Sequence, residues 1–224
     1  PFSHALENSI INDISHEDLS LLLMRKLNEK YNGRLDLAIE IFSGTYPRRF
    51  FHELISGQID LDRLDYLRRD SFFTGVIEGS VGSDRIIRML NVVDDSLVID
   101  EKGIYSIEKF LIARRLMYWQ VYMHKTVFSS ESLLVKILKR AKELAVSGFD
   151  LYATPALRFF LYNRIGNADL TNDGDFTPGL IASNFARLDD NDILISIKYW
   201  ADNTDKVLSD LSGRLVCRDL FAVE

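Results

Sequence analysis

A chain of 224 residues with 47% hydrophobic and 27% charged side chains has the composition of a soluble globular protein, with room for one large domain or a domain plus a subdomain. Its formal charge of −6 argues against binding nucleic acid over the whole surface but leaves room for a local basic pocket. No apolar run reaches the ~18–20 residues that span a bilayer, no signal peptide is expected, and the lone Cys217 excludes a disulfide framework or a cysteine-rich zinc site and fits a reducing cytoplasm.

In chain order the pattern is almost all helical. Ser15 is a candidate N-cap with Glu17 and Asp18 in the first turn, and Asn32-Gly33 closes that helix. Shorter helices are expected over Leu35–Phe42 and Pro47–Ser56, then one over Asp60–Ser71 that stops near Gly75. A helix over Ser83–Leu90 leads into "SLVIDEKGIYSI", two β-rich runs around Glu-Lys-Gly that read as a hairpin. A long helix follows from Ser106 to Ala145, with a break expected near Phe128–Ser130. Ser147–Asp150 is a weak boundary. Beyond it lie a helix over Pro155–Asn163, a polar loop "GNADLTNDGDFTPG", an acidic-started helix in "LDDNDILISIKYWAD" and a last helix over Thr204–Ser212. The fold class is mainly α, with one small β-hairpin.

The chemistry-bearing residues fall into three groups. In "PFSHALE", Glu7 stands at i+3 from His4, and a carboxylate beside an imidazole can fix its tautomer for acid–base work; the same spacing also suits an ordinary helix-surface pair. His16, directly after Ser15, is as much a helix-start residue as a catalytic one. His52 and His124 read as packed or surface histidines.

The second group is "IDLDRLDYLRRDSFFTG". Asp62, Tyr66 and Asp70 recur at i, i+4 and i+8 and share one helix face, beside an apolar side marked by Leu61, Leu64 and Leu67. Carboxylates at such a boundary are costly unless paired or bound to a metal, and one Asp does not make a metal site. In the third group, "ARRLMYWQVYMHK", Arg114, Tyr118 and Tyr122 again fall at i, i+4 and i+8. An arginine with two rings suits a phosphate and a flat or sugar-like ligand, and equally an aromatic core stripe with a paired arginine. Facing helices carrying these stripes would form a nucleotide cleft, and no glycine-rich phosphate loop is present to form one otherwise.

"PFSHALE", "SHEDLSLLLM", "IDLDRLDYLRRDSFFTG" and "ARRLMYWQVYMHK", with the tail "LDDNDI…LVCRDLF", together resemble the HD-domain deoxynucleoside triphosphate triphosphohydrolases, a group of bacterial dGTPase-like proteins and the mammalian SAM- and HD-domain enzyme. The resemblance runs over nearly the whole chain. It implies an HD-type helical bundle, with residues 1–146 as the C-terminal part of the HD core and residues 147–224 as a helical extension.

The resemblance also implies a divalent metal (Mn, Mg, Fe, Ni or Zn), of whose ligands Asp62 is the fourth. The other three are expected in segments upstream of Pro1, so that the chain reads as a fragment and is expected to be inactive by itself. His4 matches a histidine beside the scissile phosphate, Glu7 a nearby acid and His16 a second active-site histidine. Arg63 and Arg114 match phosphate contacts. Tyr66 matches a residue packed on the sugar, Asp70 a contact to its 3′-hydroxyl and Tyr122 a ring against its 2′-carbon. Tyr118 stands where the mammalian relative has histidine. The implied reaction cleaves a dNTP to deoxynucleoside and triphosphate. The implied setting is a cytoplasmic homo-oligomer with an allosteric nucleotide as a further partner and no membrane. A catalytically inactive nucleotide sensor and a single-stranded nucleic-acid binder are the rival classes.

Overall fold

A computed structural model describes residues 2–7, 9–11, 14–171 and 174–223, with the side chains of residues 2–4 outside the described set. Helices α1 (Phe2–Glu7), α2 (His16–Lys30), α3 (Asp36–Phe42), α4 (Arg49–Glu53), α5 (Leu61–Thr74) and α6 (Ser83–Met89) precede a hairpin of β1 (Leu90–Val93) and β2 (Ser96–Ile99). Helices α7 (Ile104–Met117), α8 (Lys125–Val146), α9 (Pro155–Tyr162), α10 (Asn167–Leu170), α11 (Pro178–Phe185), α12 (Asp190–Trp200) and α13 (Lys206–Cys217) follow. The protein is thus mainly α with one antiparallel hairpin. Among the described residues no helix is long and apolar enough to cross a membrane.

The chain divides into two compact units, residues 1–33 with 128–224, and residues 34–127. In the first, α8 buries Leu133, Leu134, Ile137, Leu138, Ala141 and Ala145, the three-to-four spacing of one helix face. Phe160 of α9, Ile197 and Trp200 of α12 and Leu208 of α13 share that core, and Trp200 donates its indole N–H to the Tyr152 carbonyl at 2.8 Å. Asp18 returns the Ser15 cap as a capping box, so the start of α2 is the one expected from the pattern. Helix α11 lies in and after the stretch read as polar loop; Thr177 caps it and Pro178 opens it, a start signal masked by the surrounding polar residues.

The second unit packs Leu64 and Leu67 of α5 against Ile86 of α6 and Phe110, Ala113 and Met117 of α7. Leu61, expected on the apolar side, is 44% exposed, because α5 begins at that residue and its first turn lies outside the packed stretch. Asp60 caps α5 by accepting from the Arg63 N–H at 2.7 Å, and Gly75, at φ 73°, ends it in the left-handed conformation that glycine adopts without strain.

The hairpin differs from the one expected. Its turn is Asp94-Asp95, both at positive φ (49° and 61°), as a two-residue turn between antiparallel strands requires. Glu101–Gly103 instead forms a single 3₁₀ turn leading into α7. Asp95 accepts from the Arg49 N–H at 2.7 Å and the Arg48 guanidinium at 2.9 Å, and Glu53 accepts the Leu97 N–H at 2.7 Å, so α4 holds both the turn and the outer edge of β2. The long helix breaks at residues 118–124 rather than at Phe128–Ser130. Tyr118–Tyr122 winds as a π-helix, with the Met123 N–H bonded to the Tyr118 carbonyl at 2.7 Å, and α8 starts afresh at Lys125.

Lys142 of α8 donates to the carbonyls of Phe160 and Asn163 at the end of α9. Burial, with Arg164 adding repulsion, pulls its pKa down to about 8 from the ordinary 10.5. Between those pH values the unfolded chain keeps a proton that the folded chain has lost, so stability rises with pH across that window. Urea titrations from pH 7.5 to 10.5 should show wild type gaining stability relative to Lys142→Met; parallel curves for the two proteins would contradict this.

Candidate functional site

Two of the sequence-derived groups meet in the second unit, across the packing of α5 on α7. The Tyr122 hydroxyl donates to Asp70 Oδ2 at 2.6 Å. The Tyr66 and Tyr122 rings meet edge to face at 6.0 Å and 78°, and those of Tyr118 and Tyr122 at 5.2 Å and 78°. Arg114 sits with its guanidinium carbon 5.7 Å from the Tyr118 ring centroid. Arg114 is half-buried, yet makes no ion pair among the described residues. A cation beside aromatic faces can receive an anionic group.

Electrostatics fix the protonation of the tyrosines. Burial, then the hydrogen bond and charge of Asp70, pushes the Tyr122 phenol far above its ordinary range, so it is a hydrogen-bond donor at any physiological pH. Burial also raises Tyr66, with the Tyr118 charge adding to it. Arg63 lies at the start of α5, where its Nε is 3.1 Å from Asp60 Oδ2. Asp60, a buried carboxylate, therefore both caps the helix and anchors the arginine that follows. The sequence reading passed over Asp60 as a site residue; its signal is an Asp at a helix start three residues before an Arg. Arg63 also faces a cleft of about 590 Å³ lined by Arg49, Glu53, Gln58, Leu97 and Ile99.

Asp62 is exposed in the first turn of α5. Among the described residues it belongs to no group of three or more potential metal ligands, and one carboxylate does not retain a divalent ion. Among the described residues this position therefore offers one ligand and not a complete centre.

Glu7 and His16 belong to the first unit. Glu7 Oε1 accepts from the His16 backbone N–H and lies 2.7 Å from His16 Nδ1, and Glu17 Oε1 lies 3.2 Å from His16 Nε2. Ligand atoms of these three residues all fall within 4.8 Å of one another, an acidic–histidine cluster of the kind that can hold a metal ion. The pairing expected from spacing was Glu7 with His4; the His4 side chain lies outside the described residues. The Glu7–His16 contact joins the end of α1 to the start of α2 across a loop, where no helical period points to it.

Residues 81–153 match the family described as the HD associated region. Over its full length the chain is 57% identical to a phosphohydrolase of Bacteroides thetaiotaomicron, with a TM-score of 0.92 and 54% of that chain covered. It is 34% identical over 231 residues to the uncharacterised protein YwfO of Bacillus subtilis, with 99% of this chain and 49% of that protein aligned. A deoxynucleoside triphosphate triphosphohydrolase of Dictyostelium discoideum, a SAMHD1 homolog, is 25% identical over 162 residues, covering 64% of this chain and 31% of that protein. The chain thus spans about half the length of the relatives it matches from end to end. These likenesses support an HD-domain phosphohydrolase family: residues 81–153 are similar to the HD associated region, and the whole chain is similar to about half of a phosphohydrolase.

Proposed function

We propose that the whole protein is a metal-dependent phosphohydrolase that cleaves a dNTP to deoxynucleoside and triphosphate, and that the second unit supplies its deoxyribose subsite. The observation that carries this reading is the joining of Asp70, Tyr66 and Tyr122 into one cluster beside the half-buried Arg114, which makes no ion pair among the described residues. Two rings at 78° would offer two walls for a sugar face, and the carboxylate at their edge would accept a hydroxyl. Arg114 and Arg63 would take phosphate oxygens and stabilise charge that develops there. Asp62 would contribute one ligand to a divalent metal, which when bound polarises phosphate and lowers the pKa of a water. The Glu7–His16 pair suits an acid–base role, since Glu7 fixes the ring through Nδ1. The likeness to a named dNTP triphosphohydrolase supports the choice of substrate class.

Triphosphate release from each dNTP and NTP by the full-length protein tests the reading directly. Release from dNTPs and little from NTPs is expected; release of phosphate or pyrophosphate instead, or none of the three, would overturn it. Tyr122→Ala should open space at the 2′-carbon and narrow the deoxy-to-ribo ratio of kcat/KM by about tenfold or more, whereas Asp70→Asn should weaken both sugars together. An unchanged ratio in Tyr122→Ala would mean that the Arg114-Tyr118-Tyr122 face is ordinary packing.

His16→Ala separates acid–base work from metal binding. Turnover should fall by on the order of 10²–10⁴-fold while metal content stays at the wild-type level. Metal analysis that finds the site emptied would make His16 a ligand.

A further inference from the structure

The 2.6 Å bond from the Tyr122 hydroxyl to Asp70 Oδ2 gives the tyrosine a task separate from that of its ring. An aspartate carboxylate turns freely about its last torsion unless something holds one oxygen. Here Oδ2 is held from across the helix pair, and Oδ1 makes no hydrogen bond among the described residues. The donor is itself packed, because the Tyr122 ring makes edge-to-face contacts with Tyr66 and with Tyr118. The π-helical winding of Tyr118–Tyr122 sets where that ring emerges.

We infer that the Tyr122 hydroxyl is a positioning group for Asp70, committing Oδ2 so that Oδ1 stays aimed to accept the sugar 3′-hydroxyl. The inference rests on the proposed deoxyribose subsite and adds a division of labour within one side chain. The ring faces the 2′-carbon and sets the choice between deoxyribose and ribose. The hydroxyl acts through Asp70 and sets the choice between sugars with and without a 3′-hydroxyl. Because the phenol stays protonated, it cannot turn into a second anion that repels the carboxylate.

The test compares full-length wild type with Tyr122→Phe, which keeps the ring and removes the hydroxyl. kcat/KM is measured for the most rapidly cleaved dNTP, its 2′,3′-dideoxy analogue and its ribonucleotide. Tyr122→Phe should narrow the ratio of dNTP to dideoxy analogue by about fivefold to tenfold, the worth of one ordered hydrogen bond, and leave the deoxy-to-ribo ratio within about twofold. Asp70→Asn in the same assay should narrow the first ratio at least as far. A hydroxyl that serves only to tie α5 to the π-helical turn would lower stability or slow all three nucleotides equally and leave the first ratio at its wild-type value, which would overturn the inference while the deoxyribose subsite stands. Wild type that cleaves dNTP and dideoxy analogue equally well would overturn the role given to Asp70, and this inference with it. Absence of dNTP cleavage would overturn both.

Discussion

The hydrogen bond between Tyr122 and Asp70 is the constraint on which the candidate site depends. It spans 52 positions of sequence and closes on a half-buried carboxylate. Its geometry is inherited from the core beneath it. Leu64 and Leu67 pack with Phe110, Ala113 and Met117, which fixes how α5 lies on α7. The polar stripes ride at the edge of that packing: Tyr66 and Asp70 on one helix, Arg114 and the two tyrosines on the other. Apolar burial supplies the stability, and the edge of the same interface supplies the chemistry.

The turn that carries Tyr118 and Tyr122 is the second constraint. An α-helix continued through residue 122 would present these rings at a different angle to α5. The π-helical bond from the Met123 N–H to the Tyr118 carbonyl widens that turn. Such turns are frequent at functional sites because they lose regular helix energy and persist where side-chain contacts offset the loss. The three-tyrosine contact and the bond to Asp70 are those contacts here.

Much of this was legible in the sequence, and the failures have physical causes. The Asp62-Tyr66-Asp70 stripe is readable because α-helical spacing governs α5 throughout, and Ser15 with Asp18 spells its own cap. The π-helical turn is not readable, since Arg114, Tyr118 and Tyr122 look the same at four-residue spacing whether the last turn is α or π. The hairpin was displaced because Glu-Lys-Gly looks like a turn, whereas two aspartates at positive φ do the turning, and the second, Asp95, is tied down by Arg48 and Arg49, some 46 positions earlier. The Glu7–His16 contact crosses a loop, beyond the reach of periodicity. Asp60 was passed over because its work, holding both a helix start and Arg63, appears only when the cap is seen in three dimensions. Roles for these residues came from the resemblance to a family; spacing alone gave shared faces.

The most direct measurement is a crystal structure of the full-length protein with a dNTP analogue whose α–phosphate ester cannot be cleaved. The account predicts the deoxyribose in the corner between Tyr66 and Tyr122, its 3′-oxygen within hydrogen-bonding distance of Asp70 Oδ1, Oδ2 still held by Tyr122, and phosphate oxygens on Arg114. A nucleotide bound elsewhere, with the tyrosine cluster and Arg114 untouched, would contradict it.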